Sequence, residues 1–199
     1  MGEREPLRQV LTGHPTDAAR ALLGATLHGR GVSVRIVEVE AYCGEQDPAS
    51  HAYRGRSRRN AVMFGPAGHL YAYFVYGMHT CVNVSTGPDG VASAVLLRAG
   101  EVLSGLDVAT ARRPTARRTA DVARGPANLA AALGLNLSDN GADVLDPAAE
   151  VRLESVRPPP QVSSGPRVGV SAAADVPWRF WVPGSVAVSA YRRAPRAIS

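Results

Sequence analysis

Short segments in which hydrophobic and polar residues alternate run through much of this chain, and a period of two residues is typical of half-buried β-strands. The alternation is clearest over residues 32–42, where Val37, Glu38, Val39 and Glu40 follow one another. The other segments of alternating or apolar character are predicted as further strands, namely 70–76, 79–85, 91–97, 167–170, 179–182 and 186–190. Gly77 and Met78 are predicted to form the turn of a hairpin between 70–76 and 79–85.

Three segments instead have the spacing of apolar residues expected of helices. The first begins at Pro15, Thr16 and Asp17, and Gly24 or Gly29 would end it. The other two are predicted at 102–113 and 128–135. Because strands outnumber helices and hairpins are commoner than β–α–β units, we expect an α+β fold with a mostly antiparallel sheet, in one domain over 1–199.

The remaining segments are predicted loops. Residues 44–68 are rich in Gly, Pro and Arg, and a loop of this length within a compact domain is usually functional. Residues 112–124 form a basic stretch, and 158–164, with three prolines and two serines, are predicted as an exposed connection. The Arg-rich end from 192 to 199 is expected to fray.

Composition narrows the range of functions. All 22 basic residues are arginine, and the formal net charge is +5. A chain without lysine has no side-chain amine to form a Schiff base, and its basic balance favours an acidic partner such as nucleic acid. Two cysteines, no signal peptide and no long apolar run predict a cytoplasmic protein without a membrane segment.

The carboxylates of the first predicted strand are candidates for chemistry. Glu38, Glu40 and Tyr42 share one face of a regular strand. Two carboxylates at this spacing lie about 7 Å apart, close enough to repel each other in a closed cleft. The alternative from the pattern alone is a solvated polar face opposite Val37 and Val39.

The hairpin and the long loop supply candidates for contacts with nucleic acid. Tyr71 is expected in the core, whereas Tyr76 lies beside a glycine turn and is harder to bury. Together with Met78 it would form an exposed apolar wedge suited to insertion between stacked bases. Four loop arginines are candidates for phosphate contacts, with a solvated loop as the alternative: Arg54, Arg56, Arg58 and Arg59.

The sequence gives little support for a bound metal or cofactor. Cys43, His51, His79 and Cys81 have the composition of a zinc site, but no C-x-x-C pair is present. The sequence also lacks a phosphate-binding glycine loop, a G-x-S-x-G elbow and an H-E-x-x-H motif. We therefore expect neither a metal nor a cofactor.

Several ordered motifs together resemble the alkyladenine (3-methyladenine) DNA glycosylase family. They are Ile36 to Tyr42, His51, Arg59 to Gly65, Tyr71 to His79, Asn83, Leu96 to Arg98, Arg124 to Pro126, Leu133 to Leu135, Pro166 to Val170 and Pro177 to Phe180. The resemblance therefore extends roughly from Leu7 to Tyr191. It implies a compact single domain of mixed α/β character whose hairpin enters the minor groove of DNA.

The resemblance also implies a role for particular residues. These are Glu40 as general base, Tyr42, His51 and Tyr73 as the base-stacking pocket, Tyr76 as the residue that fills the gap in the duplex, Asn83 as the residue that discriminates among purines, and Arg98 as a support for the water and the DNA backbone. At Ala127 and Asn128 the chain departs from the family, where a second glycine and a lysine or arginine are common. The phosphate contact expected at that point is therefore not assigned to this chain.

The expected function is a monofunctional, monomeric DNA N-glycosylase that removes alkylated or deaminated purines from double-stranded DNA in base excision repair. Three alternatives remain open at this point. A module of the same fold could hold an extruded base without hydrolysing it, and an RNA-binding or RNA-modifying protein would also use arginine and stacked tyrosine. A sugar hydrolase acting on small molecules fits the two carboxylates but leaves the basic surface and the hairpin unexplained.

Overall fold

One antiparallel sheet of eight strands organises the computed structural model, which describes residues 4–75, 77–155, 159 and 161–197. Its strands are β1 (Thr26–Gly29), β2 (Val32–Tyr42), β3 (Leu70–Val75), β4 (His79–Ser85), β5 (Ala94–Ser104), β6 (Arg152–Glu154), β7 (Ser163–Gly165) and β8 (Arg179–Trp181). They lie in the order β3-β4-β5-β2-β1-β6, with β8 paired to β2 and β7 paired to β8. The α+β prediction is confirmed.

Strand β2 is the centre of the sheet. Strand β5 pairs with it along most of its length, while β8 pairs with its residues Glu38 to Glu40 from the other side. The register against β5 shifts between Ile36 and Val39, as at a β-bulge. Because both edges of β2 are covered here, the predicted carboxylates lie inside the sheet rather than at its margin.

The part of the chain that the structure describes contains four short helices: α1 (Arg4–Leu11), α2 (Pro15–Leu22), α3 (Leu106–Arg112) and α4 (Pro126–Ala132). The first packs against α2, and the other three contact the sheet. The ring of His14 accepts a hydrogen bond from the backbone N–H of Thr16 and so caps α2. Leu22, Leu27 and Leu129 are fully buried in the shared core. None of the described helices is long and apolar enough to cross a membrane.

The predicted strand at 32–42 and the predicted hairpin are confirmed, with β3 and β4 paired from Leu70 against Val84 to Val75 against His79. Tyr76, predicted to fill the gap in a duplex, lies outside the described residues. The long loop at 44–68 is irregular apart from two single 3₁₀ turns, Gly44–Gln46 and Ala61–Phe64.

Two predicted strands are absent, and one predicted helix begins later than predicted. Strand β5 continues to Ser104, so the helix predicted at 102–113 begins only at Leu106, after Gly105 with φ +71°. Residues 167–170 form a turn, and residues 186–190 form turns and bends, instead of strands. In each of these two segments a backbone N–H group donates to a carboxylate instead of to a neighbouring strand. The N–H of Val168 donates to Glu40, and that of Ser189 donates to Glu38.

The chain also contains elements that the pattern did not reveal, namely α1, β1, β6 and β7. Residues 163 and 164, predicted as part of an exposed connection, belong to β7. Near the chain end, the carbonyl of Arg192, at the start of the predicted frayed tail, accepts a hydrogen bond from Gly169. The two cysteines are free thiols, Cys43 half-buried and Cys81 buried.

Candidate active site

A cavity of about 380 Å³ is lined by residues of β2, β3, β4 and β5. Loop residues 48–51 and 168–171 complete its wall. All six residues predicted for catalysis or base binding line it: Glu40, Tyr42, His51, Tyr73, Asn83 and Arg98. Side chains from four strands and the long loop therefore meet around one space.

Glu40 lies in the wall of this cavity with its side chain fully buried. Its Oε2 accepts a hydrogen bond from the hydroxyl of Tyr42 at 2.9 Å and one from Nη1 of Arg98 at 3.4 Å. Its Oε1 accepts the backbone N–H of Val168 at 2.7 Å. Both oxygens are thus held in place, and the alternative of a solvated polar face is excluded.

Glu38 is also fully buried, and its donors include Arg98, which it shares with Glu40. Its Oε1 accepts Nε of Arg98 at 3.1 Å and Nε of Arg179 at 2.6 Å, and Oε2 accepts the backbone N–H of Ser189 at 2.7 Å. Arg98 therefore lies between the two carboxylates. Burial alone would lower the pKa of Arg98, but the negative charges of Glu40 and Glu38 outweigh it and leave the pKa raised, so the guanidinium stays charged.

Aromatic rings form another part of the wall. Tyr71 and Tyr73 are stacked, with ring centroids 5.3 Å apart and planes at 23°. His51 stands edge-on to Tyr73 at 4.5 Å, and its Nδ1 lies 3.1 Å from the hydroxyl of Tyr71. Tyr71 is almost fully buried, as predicted for a core residue.

Burial controls the protonation of these rings. It raises the pKa of Tyr73 and that of Tyr42 well above the usual tyrosine value, with the charge of Glu40 adding to the shift at Tyr42. Both hydroxyls therefore remain protonated at neutral pH and Tyr42 can donate to Glu40. Desolvation, together with the nearby charge of Arg59, lowers the pKa of His51, so its imidazole is neutral at pH 7.

Asn83 and Cys81 lie on β4 and reach the cavity from the same strand. Asn83 is buried, and its Nδ2 donates to the carbonyl of Tyr71 at 3.4 Å, which fixes the amide across the hairpin. Burial raises the pKa of the Cys81 thiol to about 11, so this thiol stays protonated. From the sequence, Cys81 was considered as a zinc ligand and not as a residue that lines the cavity.

The end of the hairpin and the long loop form one exposed surface beside the cavity. Met78 is 72% exposed and Phe74 is 48% exposed. The four predicted loop arginines are all exposed: Arg54, Arg56, Arg58 and Arg59. Arg59 links the loop to the hairpin, since its Nη2 lies 3.5 Å from the carbonyl of Phe74 and its guanidinium 5.8 Å from the centroid of the Tyr73 ring.

Three residues in the interior next to the site were not predicted from the sequence, namely Asp47, Arg167 and Arg179. All three are buried charged residues. The available signal for Arg167 was its position within the run Pro166 to Val170, which carries part of the resemblance. Cys43, weighed as a zinc ligand, instead has its sulfur 3.9 Å from the ring of His14. In the described ranges, no group of three or more His, Cys, Asp or Glu side chains is placed to hold a metal ion.

The chain is similar in sequence to known proteins over most of its length. The sequence model of the family described as methylpurine-DNA glycosylase (MPG) matches residues 9–186. A protein of Nocardia farcinica provisionally named 3-methyladenine DNA glycosylase is 65% identical over 196 residues, covering 95% of this chain and 92% of that protein. Proteins of the same provisional name are 62% identical in Rhodococcus jostii (97% of this chain, 88% of that protein) and 56% identical in Mycolicibacterium paratuberculosis (98% and 96%).

Proposed function

Because the chain belongs to the methylpurine-DNA glycosylase family, we propose that it extrudes damaged purine nucleotides from duplex DNA into the cavity and hydrolyses their N-glycosidic bonds. The observation that carries the proposal is the placement of Glu40, a buried carboxylate fixed at both oxygens in the wall of an aromatic cavity. The cavity volume of about 380 Å³ falls within the roughly 300–1,000 Å³ of small-molecule sites.

Extrusion is needed because a stacked purine exposes neither its C1′ carbon nor a path for water. Unstacking costs a few kcal/mol, and the gap in the duplex has to be filled to prevent the base from returning. Tyr76 and Met78 are proposed to fill it, and the exposure of Met78 at the end of the hairpin supports this role. The exposed arginines of the long loop would contact phosphates on the same side.

The extruded base would stack against Tyr42, His51 and Tyr73. Stacking on an aromatic side chain is worth about 1–3 kcal/mol per base. A purine alkylated at N3 or N7 is cationic and is also attracted to the negative faces of the tyrosine rings. The neutral state of His51 supports this preference, because a protonated imidazole would repel such a base. Asn83 is proposed to exclude guanine by crowding its exocyclic amino group.

Bond cleavage passes through a sugar of oxocarbenium character. In the proposed step a water oxygen bonds to C1′ and its proton passes to Glu40, while the C1′–N bond breaks and its electron pair leaves with the purine. Arg98 is proposed to hold Glu40 in its charged, correctly oriented form through the contact at 3.4 Å. A cationic purine departs without further protonation, whereas a deaminated, neutral purine such as hypoxanthine calls for an additional acid.

The product would be an intact abasic site. Strand cleavage by β-elimination proceeds through a Schiff base, and the chain has no lysine to form one. Treatment of the product with and without alkali checks this step, and strand breaks made by the enzyme alone would contradict it.

The decisive experiment measures free base released in single turnover from duplexes that carry 3-methyladenine, 7-methylguanine, hypoxanthine or ethenoadenine. Glu40→Gln is expected to lower release by about 100- to 10,000-fold, the usual contribution of a general base. It should leave affinity for the duplex unchanged. Glu154→Gln, at a glutamate whose side chain is 65% exposed on β6, serves as the matched control. Near-normal release by Glu40→Gln would remove Glu40 from this role, and tight binding without release by the unaltered chain would favour a non-catalytic module.

A further inference from the structure

Arg167 is the largest fully buried side chain of the described residues, and it forms an ion pair with Asp47 that is completely shielded from solvent. Its Nη2 donates to Oδ1 of Asp47 at 2.9 Å, and Nη1 donates to the other carboxylate oxygen. Buried as it is, this guanidinium has no path to a DNA phosphate. Its contacts are therefore with the protein around the cavity.

These contacts converge on the short segment of β2 that carries the proposed general base and stacking residue. Nη1 of Arg167 donates to the carbonyl of Ala41 at 3.1 Å, between Glu40 and Tyr42 in the chain. The guanidinium carbon lies 4.7 Å from the centroid of the Tyr42 ring. Since Tyr42 lines the cavity and Arg167 is fully buried, the guanidinium supports this ring from within the protein.

The residue that follows Arg167 contacts Glu40 directly. The backbone N–H of Val168 donates to Oε1 of Glu40 at 2.7 Å, and Val168 to Ser171 form one side of the cavity. The position of this N–H depends on where the Arg167 side chain fixes the turn. One buried side chain is thus next in the chain to the donor of a hydrogen bond on the carboxylate, and it also contacts the Tyr42 ring.

Asp47 connects a third segment to the same point. Its carboxylate accepts the backbone N–H groups of Cys43 at 3.2 Å and Ala49 at 3.0 Å, and Ala49 lines the cavity. The pair therefore joins the end of β2, the start of the long loop and the turn at 167–169.

From this geometry we infer that Asp47 and Arg167 are positioning residues for base excision, which hold Tyr42 and the Val168 N–H in place without touching the substrate. The inference rests on the proposed function. Stability alone gives weak reason for such a pair, because replacing a buried ion pair with apolar residues is often neutral or stabilising. The planar fork of arginine, by contrast, fixes both partner carboxylate and stacked ring in direction as well as distance.

The test compares Arg167→Lys with Arg30→Lys. Lysine keeps the charge opposite Asp47 but loses the fork and the stacking on Tyr42. Arg30 makes a similar two-pronged pair with Asp139, and neither residue lines the cavity, so the same substitution there is the matched control. Single-turnover release from a 3-methyladenine duplex is measured with enzyme in saturating excess, because the rate constant is then independent of any unfolded fraction.

Arg167→Lys is expected to lower this rate constant by about 10- to 100-fold, since a displacement of about 1 Å in a reacting group costs up to 100-fold. Affinity for undamaged duplex and the rate constant of Arg30→Lys should stay near those of the unaltered chain. An unchanged rate constant in Arg167→Lys would overturn the inference while leaving the proposed function intact. Absence of base release by the unaltered chain would instead refute the proposed function.

Thermal unfolding of each variant shows whether the fold is retained. If Arg167→Lys does not fold, Asp47→Asn is measured in the same assay, because asparagine keeps the shape of the side chain and one of its two acceptor oxygens while it removes the charge that pairs with Arg167. A slowed rate constant in folded Asp47→Asn supports the inference. A normal rate constant, or the failure of both variants to fold, overturns it, because the pair would then serve the fold rather than the cavity.

Discussion

Glu38 and Glu40 lie two residues apart on β2, yet their surroundings give them different tasks. Glu40 is in the cavity wall, whereas Glu38 is enclosed by Arg98, Arg179 and Ser189. Two carboxylates and two guanidinium groups balance in charge at this point. A glutamate held by that many donors is suited to orienting Arg98, which in turn contacts Glu40 at 3.4 Å.

Glu38→Gln tests this division of tasks. The substitution keeps the shape of the side chain but removes the charge opposite Arg98 and Arg179, so we expect destabilisation of about 3–5 kcal/mol, as when a buried ion pair is broken. We also expect a single-turnover rate constant reduced by about tenfold, since Arg98 is no longer directed at Glu40. Denaturant unfolding and base release measure the two effects, with Glu154→Gln as the control. An unchanged rate constant in a destabilised variant would limit Glu38 to a structural role.

The lowered pKa of His51 leads to a prediction on pH. The usual histidine pKa is 6.5, and desolvation with the charge of Arg59 moves that of His51 lower, so the ring becomes cationic only below pH 6.5. Protonation would then repel a cationic purine but affect a neutral purine less. We expect the ratio of release of 3-methyladenine to release of hypoxanthine to fall as the pH is lowered through that range.

A variant without the imidazole isolates the contribution of His51 to this ratio. In His51→Gln the ratio should no longer fall on acidification. If the ratio falls equally in this variant, the pH dependence arises elsewhere in the cavity.

At this scale the sequence predicted the side chains that line the cavity but not those that hold them. Glu40, Tyr42 and Asn83 are of types whose chemistry is recognisable within a motif. Asp47 and Arg167 act through partners 120 residues apart in the chain, and no local pattern reveals such a pairing. Their charge also favours a surface position until a partner is known.

At the scale of elements, a predicted strand was confirmed where its backbone N–H and C=O groups pair with a neighbouring strand. Strand β2 and the hairpin β3–β4 pair regularly with their neighbours, so the alternation of their residues predicted them correctly. The turns at 167–170 and 186–190 contain similar apolar residues, but their N–H groups bind the buried carboxylates of Glu40 and Glu38. Composition cannot distinguish these two arrangements.

The boundary between β5 and α3 failed for a different reason. The segment 102–104 has only three residues and is partly exposed. Its sequence therefore defines neither the two-residue period of a strand nor the 3.6-residue period of a helix. Pairing with β2 extends the strand past Gly100, where a Cβ atom would lie only 2.1 Å from Cγ1 of Val34. Glycine is therefore required by the close approach of the two strands, beyond the predicted end of the strand at Leu97.

The hairpin gives a prediction that belongs to the element as a whole. Met78 extends from its end with 72% of its surface exposed, and burying a methionine side chain is worth about 1.5–3 kcal/mol. If the hairpin enters the duplex, Met78→Ser should weaken binding of lesion-containing DNA by roughly 10- to 100-fold. Thermal stability should not change, because the side chain packs little in the free protein.

Leu103→Ser provides the control for this measurement. Leu103 is 56% exposed on β5 and does not belong to the hairpin. Equal affinities for Met78→Ser, Leu103→Ser and the unaltered chain would exclude the end of the hairpin from the DNA interface.

At the scale of the whole molecule, the charge distribution relates the cavity to its substrate. All 22 positively charged residues behind the net charge of +5 are arginines, and four of them are exposed on the long loop, where Arg59 contacts the hairpin. Binding through phosphate contacts is steeply dependent on salt, because each contact releases a condensed counterion. We therefore expect binding to the DNA backbone to be separable by experiment from the proposed recognition of a damaged base.

Arg58→Gln should weaken binding of damaged and undamaged duplex by the same factor. The slope of log K against log salt concentration should decrease by about 0.9, the value for one phosphate contact. Single-turnover release at saturating enzyme should be unaffected, since the exposed Arg58 is not in the cavity wall. Arg152→Gln on β6, at the opposite end of the strand order from the hairpin, should leave the slope unchanged. A slope that does not change in Arg58→Gln would place the loop outside the DNA interface, whereas a loss confined to damaged duplex would show that this arginine serves recognition of the lesion.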